Sequence, residues 1–289
     1  MPELPEVEVV RRGLAPAVTG SRIDQVQILD PRSLKRHDAR RGDFVGMLTG
    51  AQINSVERRG KFMWMTLTSG DALVVHLGMS GQVLLREPGV DDDRHLRIRF
   101  DVSNPTHGDL VVAFVDQRIF GSMAVDALIE QHGALVPTQV AHIALDPLDE
   151  RFDDDAFVAA LRRKRTGLKR ALLDQTLVSG IGNIYADEAL WASRLHYDRP
   201  TDRVTAAQAR IVLAEVRAVL SKALAEGGTS FDEQYVNVNG QAGYFAHSLN
   251  AYGRQGEPCA RCGVPIVRES FMNRGSHFCP VCQRRPRGR

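Results

Sequence analysis

All four cysteines of the chain fall in one pattern near its end, Cys259-x2-Cys262-x16-Cys279-x2-Cys282. A CxxC knuckle brings two sulfurs within reach of one ion, and two knuckles at this separation build a tetrahedral four-thiolate site for Zn²⁺. With every coordination position taken by protein, one structural Zn²⁺ is expected rather than a catalytic one. An iron–sulfur site or a redox pair is the alternative reading of the same spacing. His277 reads as an ordinary strand residue of the finger. At the other end, Pro2 follows the initiator Met. Removal of Met1 would expose a secondary amine with a pKa of about 8, so an appreciable fraction is neutral near neutral pH. Such an amine attacking an aldehydic carbon gives an iminium with no N–H proton to lose, an electron sink suited to elimination chemistry at a sugar. Glu3 and Glu6 stand beside it as candidate acid–base groups. Taken alone, this Pro/Glu-rich opening is a weak signal and reads more readily as the start of a helix.

Other elements must hold these two centres. Val7, Val10 and Leu14 share one helical face near the amino terminus, with Gly13 near the expected helix end. Residues 22 to about 120 read as strands. FMWMTLT, ALVVHL, HLRIRFDV and DLVVAFV are apolar or alternating runs separated by turn signals at Ser69-Gly70-Asp71 and Thr106-His107-Gly108-Asp109. Short spacing with no long helical pattern intervening predicts an antiparallel β-sandwich. Beyond Pro137 and Pro147 helical periods dominate. Leu168, Leu172 and Leu173 mark one helix and Ile184 to Leu195 a second. Thr205-Ala-Ala-Gln208 is a capping box opening a long helix that stops at Gly227-Gly228. The expected class is a multidomain α+β protein. Its parts are a β-sandwich catalytic domain at 1–135, a helical domain at 136–249 and a four-cysteine finger at 250–289.

With 289 residues, 43% of them hydrophobic and 25% charged, the chain can bury real cores and is not a disordered polymer. No apolar run approaches the ~18 residues of a membrane helix, and the amino terminus lacks a signal peptide's apolar stretch. Cysteines confined to one module point to a reducing cytoplasm. The net charge of +2 conceals segregation: Arg162–Arg170 carries six basic residues and no acid, and Arg254 to the end carries eight Arg against two Glu. Segregated charge of this kind fits a polyanion-binding face, or else a solvated surface.

Six motifs occur in order: MPELPEVEVVRRGL, Arg59-Gly-Lys61-Phe, His76-Leu-Gly-Met-Ser-Gly81, Asp116-Gln-Arg118-Ile-Phe120-Gly, Gly180-Ile-Gly-Asn183-Ile-Tyr185-Ala and the cysteine finger. The chain resembles bacterial formamidopyrimidine-DNA glycosylases over its whole length. The resemblance implies a bifunctional glycosylase and AP lyase of base excision repair, acting on 8-oxoguanine and formamidopyrimidines in duplex DNA. Leu4 stands where the pyrimidine-preferring endonuclease VIII branch typically has Gly. A non-catalytic lesion-binding zinc protein is the competing class, and the joint presence of Pro2, Glu3 and Lys61 argues against it.

Carried over position by position, Pro2 would be the Schiff-base nucleophile and Glu3 its acid/base partner. Lys61 would contact the flanking phosphate and donate a proton in β-elimination, and Arg274 would support δ-elimination. His95, Arg118, Lys164 and Asn183 would contact the DNA strands, with Gly180 and Gly182 freeing a helix-two-turn-helix connection. A duplex base must be rotated out before an amine can reach its sugar. Met79 and Phe120 would fill the gap as apolar wedges while Arg118 meets the orphaned base. Ile119 departs from the family, many members having a second Arg there. Thr229–Tyr244 resembles the lesion-capping loop. The implied partner is damaged double-stranded DNA, and the chain is expected to act as a cytoplasmic, nucleoid-associated monomer away from any membrane.

Overall fold

The computed structural model describes residues 2–229, Val238 and 244–286. The chain forms two compact units, Met1–His142 with Gly227–Tyr244, and Ile143–Glu226 with Phe245–Arg289.

The first unit opens on helix α1 (Leu4–Val18), followed by β1 (Arg22–Ile28), the short α2 (Phe44–Leu48), and strands β2 (Ile53–Arg59), β3 (Phe62–Leu67), β4 (Asp71–His76), β5 (Gly81–Arg86), β6 (Leu96–Asn104), β7 (Gly108–Asp116), β8 (Ser122–Gln131) and β9 (Ala134–Pro137). The strands make two antiparallel sheets, ordered β1-β6-β7-β5 and β2-β3-β4-β8-β9. In β6 the alternation of LRIRFDVSN becomes alternation of burial: Ile98, Phe100 and Val102 turn inward and Arg97, Arg99 and Asp101 outward. One core holds residues from both sheets, including Met63, Met65, Leu73 and Val125 from one and Val83, Val112 and Phe114 from the other. The sheets therefore pack as the expected sandwich, and α1 adds Val7, Val10, Leu14 and Val18 to the same core.

Gly13 lies inside α1 rather than near its end, and the helix runs on through Pro16 to Val18. The glycine serves packing instead. A Cβ there would come within 2.4 Å of the stiff, β-branched Val238 side chain, which belongs to the core.

The second unit contains α3 (Asp154–Arg163), the single turn α4 (Leu168–Leu172), α5 (Asn183–Ala192) and α6 (Ala206–Ala225), then the hairpin β10 (Val267–Phe271) and β11 (Arg274–Phe278). The capping box expected at Thr205 is formed: its hydroxyl accepts from Gln208 N–H at 3.1 Å, and Gln208 Oε1 accepts from Thr205 N–H at 3.1 Å. Helix α3 had no anticipation in the sequence. It is capped by the Asp153 carboxylate, which accepts the N–H groups of Asp155 and Ala156 at 2.9 Å.

Candidate active site and nucleic-acid interface

In the first unit, Pro2 and Glu3 are both buried where the chain enters α1. Glu3 is the N-cap, and a capping box closes between Glu3 and Glu6. Glu6 Oε2 accepts from Glu3 N–H at 2.8 Å, and Oε1 accepts from the N–H and hydroxyl of Thr229 at 2.8 and 2.9 Å. The buried Glu6 carboxylate thereby fixes the backbone one residue from Pro2. This is a positioning duty.

Lys61 lies in the turn between β2 and β3, beside Gly60 at φ +57°. The turn is tied to α1 through Glu8. Arg58 Nε donates to Glu8 Oε2 at 2.9 Å and its Nη1 to the Gly60 carbonyl at 3.0 Å, while Arg11 donates twice to Glu8 at 2.8 Å. Burial acts to raise the Glu8 pKa, but Arg11 and Arg58 outweigh it and hold the carboxyl down to about 2. Glu8 is thus an ionised strut between the helix that carries Pro2 and the turn that carries Lys61.

His76 ends β4, its ring 4.6 Å from that of Phe62, over which Arg36 lies at 5.3 Å. Burial first, then the charges of Arg36, Lys61 and Lys35, bring its pKa down to about 4. Neutral His76 hence marks the middle of a cationic end of the sandwich, a place suited to phosphate.

Two loops at that end carry the apolar tips. Met79 is 40% and Phe120 46% exposed, so neither is a core residue. The loops interlock: Gly78 is at φ +64°, and a Cβ on it would lie 2.3 Å from the Phe120 backbone carbon. Arg118 stacks its guanidinium 4.9 Å from the Phe120 ring centroid. Ile119 between them is at φ +57°, a left-handed conformation that costs a β-branched residue of order 1–3 kcal/mol. His95 is half-buried beside Arg94 and Arg97, and its carbonyl accepts from Asp116 N–H at 3.0 Å.

In the second unit the four cysteine sulfurs lie within 4.8 Å of one another. Their chemistry fits a dication. Burial acts to raise Cys259, but N–H groups of Arg261 and the Trp191 indole bring it down to about 6. Cys282 is pushed up to about 12, by burial first and then by the neighbouring thiols Cys262 and Cys279. Thiols packed this closely oppose one another's ionisation, an opposition that a dication relieves. Cys259, Cys262, Cys279 and Cys282 hold a structural zinc.

The finger is fastened along α5. Arg261 donates to the carbonyls of Trp191 and Ala192 at 2.6 and 3.0 Å, capping the helix C-terminus, and stacks 3.7 Å over Trp191. Mid-helix, buried Asp187 accepts from the Ser276 hydroxyl at 3.0 Å and His277 N–H at 2.9 Å, and pairs with Lys169 Nζ at 2.6 Å. Lys169 also donates to the Gly275 carbonyl at 3.3 Å, which accepts from Asn183 Nδ2 at 3.2 Å as well. Glu188 receives N–H groups of Asn250, Ala251 and Tyr252 at 2.8–2.9 Å. Arg274 is exposed, next to a turn whose Met272 and Asn273 both have positive φ.

Three family models cover the chain: the Formamidopyrimidine-DNA glycosylase N-terminal domain over residues 1–123, the Formamidopyrimidine-DNA glycosylase H2TH domain over 143–234, and the zinc finger found in FPG and IleRS over 256–285. The formamidopyrimidine-DNA glycosylase of Leifsonia xyli subsp. xyli is 62% identical over 296 residues, which cover 98% of this chain and all of the relative. The chain belongs to the formamidopyrimidine-DNA glycosylase family. The Thermobifida fusca glycosylase is 55% identical over 99% of both chains. Among solved structures, the Thermus thermophilus MutM (FPG) protein aligns with a TM-score of 0.81 at 35% identity, over 98% of each chain. A Lactococcus lactis FPG (MutM) complex with DNA containing Fapy-dG aligns at 0.82 and 31%, over 98% of this chain and 100% of that one.

Of the glycosylase residues expected from sequence, Pro2, Glu3, Lys61, Met79, His95, Arg118 and Phe120 sit in the first unit, and Lys164, Asn183, Arg274 and the cysteines in the second. Lys164 is exposed and ion-paired with Asp174, and Asn183 spends an N–H on the finger. The basic run is not one face: five of its cations are exposed, but Lys169 is fully buried against Asp187. Of the capping loop Thr229–Tyr244, only Thr229, Val238 and Tyr244 lie within the described residues. Sequence reasoning missed Lys35, Arg36, Glu8, Lys169, Asp187 and Glu188. Spacing marks only Glu8, three and four positions before Arg11 and Arg12; each of the others acts through a partner distant in the chain or through burial.

Proposed function

We propose that this chain is a bifunctional base-excision enzyme, excising oxidised purines such as 8-oxoguanine and formamidopyrimidines from duplex DNA and cleaving the resulting abasic site. In the reading that the residues support, the neutral Pro2 amine attacks C1′ of the lesion nucleotide and the glycosidic bond breaks, its electrons leaving with the base. Glu3 exchanges the protons that opening of the sugar requires. The resulting iminium acidifies the C2′ hydrogen, so loss of that proton expels the 3′ phosphate. Lys61 supplies a proton in this β-elimination, and Arg274 supports the second elimination, which expels the 5′ phosphate. The observation that carries the reading is a buried Pro2–Glu3 pair clamped by Glu6 at the head of α1. An ordinary helix start would leave such groups in solvent.

Arg118, with N–H donors and no acceptor, matches the O2 and N3 acceptors of an orphaned cytosine better than adenine, whose N1 adjoins an amino donor. Met79 and Phe120 fill the vacated stack, and His95, Lys164 and Asn183 hold the strands. The protein acts as a nucleoid-associated monomer in the cytoplasm. Among the described residues no helix is long and apolar enough to cross a membrane.

Borohydride reduction on a duplex containing one 8-oxoguanine is the test. A covalent adduct mapping to Pro2, lost when Met1 is retained, is expected. An adduct on Lys61 overturns the assignment.

A further inference from the structure

We infer that Asp116 and Lys35 are positioning residues that set opposite-base discrimination by holding the Arg118-Ile119-Phe120 tip in a single shape. The inference rests on the reading of Arg118 as the residue that meets the orphaned base.

Asp116 is fully buried, and its carboxylate joins both wedge loops. Oδ1 accepts from the Ser80 hydroxyl at 2.5 Å and from Arg118 N–H at 3.1 Å, and Oδ2 accepts from Gly121 N–H at 2.7 Å. Ser80 adjoins Met79, so one side chain couples the Met79 loop to both ends of the Arg118–Phe120 tip. Its main chain is held too, by Arg97 Nε on the Asp116 carbonyl at 2.7 Å and by the His95 carbonyl on the Asp116 N–H. From outside, Lys35 Nζ donates to the carbonyls of Ile119 and Phe120 at 3.1 and 3.0 Å. Two successive carbonyls converge on one ammonium because Ile119 is in the left-handed region.

A β-branched residue leaves that region unless its surroundings over-determine it. Lys35 and Asp116 provide that constraint. Arg118 rides on the Phe120 ring, so relaxation of the tip carries the guanidinium with it. Discrimination between acceptor patterns needs a group placed to about 0.5 Å. A loosened Arg118 would meet either orphan base indifferently.

The experiment is single-turnover excision of 8-oxoguanine paired with cytosine or adenine, comparing wild type with Lys35→Met, Lys35→Arg, Asp116→Asn and Arg118→Ala. Lys35→Met should lower the cytosine-to-adenine ratio by about threefold to tenfold, the range of one or two net hydrogen bonds. Its melting temperature should be that of wild type, because Lys35 is exposed. Lys35→Arg, which can still donate to both carbonyls, should restore most of the ratio. Asp116→Asn should lower the ratio further. A lysine that merely bound phosphate would weaken both duplexes alike and leave the ratio untouched. If Arg118→Ala flattens the ratio while Lys35→Met keeps the wild-type value, the inference is wrong. If Arg118→Ala itself keeps it, the reading of Arg118 fails and this inference fails with it.

Discussion

Replacing Lys169 with methionine keeps an unbranched side chain one atom shorter and removes an ammonium that is completely buried. What remains is the Asp187 carboxylate, 1% exposed, still accepting from Ser276 and His277 N–H but without its cation at 2.6 Å. Breaking a buried pair on one side costs about 3–5 kcal/mol, because the surviving charge is stranded in a medium that solvates it poorly. The remaining partners, which include the His277 ring Nδ1 at 3.2 Å, place this case at the lower end, about 3 kcal/mol. At roughly 2–4 °C per kcal/mol, the second unit should melt about 6–12 °C lower. The Gly275 carbonyl loses one donor as well, so the strand that begins at Arg274 should loosen, and a thiol-competing chelator should extract zinc faster. Lys169→Met/Asp187→Leu should recover part of the loss, since an apolar pair leaves no unpaired charge. It should not recover all of it, because the Ser276 hydroxyl and His277 N–H then lack an acceptor. Differential scanning calorimetry and a colorimetric zinc-release assay give the two readouts. A melting shift below about 2 °C for Lys169→Met, with wild-type zinc release, would refute the view that this pair fastens the finger to α5.

Three further outcomes are expected. One zinc per chain should be found by elemental analysis, and Cys279→Ser should lose both the metal and DNA binding while the first unit keeps its melting transition, because metal binding at so small a module is largely folding energy. The His76 pKa is depressed from 6.5 to about 4, so the unfolded chain binds the extra proton first and stability should fall as pH drops from about 6.5 towards 4. His76→Gln should remove that component, which urea unfolding at pH 5 and pH 7.5 will show as a smaller difference than in wild type. Gly78→Ala, at φ +64° with a Cβ driven into the Phe120 backbone, should displace the wedge tip, slow excision opposite both bases and, because Arg118 rides on the Phe120 ring, narrow the cytosine-to-adenine ratio as well; a wild-type single-turnover rate would disprove the interlock.

Whatever depends on local spacing is legible in the order of the residues. Thiolate chemistry needs only four cysteines at knuckle separation, the alternation in 96–104 writes its own inside and outside, and Thr205 with Gln208 closes a cap within one helical turn. The special nature of Pro2 is likewise covalent, a property of its ring. Tertiary structure decided which charges are spent internally. Lys169 and Arg170 are neighbours in one basic run, yet one is buried on Asp187 and the other faces solvent. Asp116 reads as one more acidic residue at a strand end, and only folding brings Ser80, Arg118 and Gly121 round its carboxylate. Lys35 and Ile119 are 84 positions apart in the chain, and no periodicity links them. Backbone periodicity is a short-range property that sequence displays directly. The partner of a buried charge or a strained loop is set by packing between segments, and the chain carries that information only as a whole.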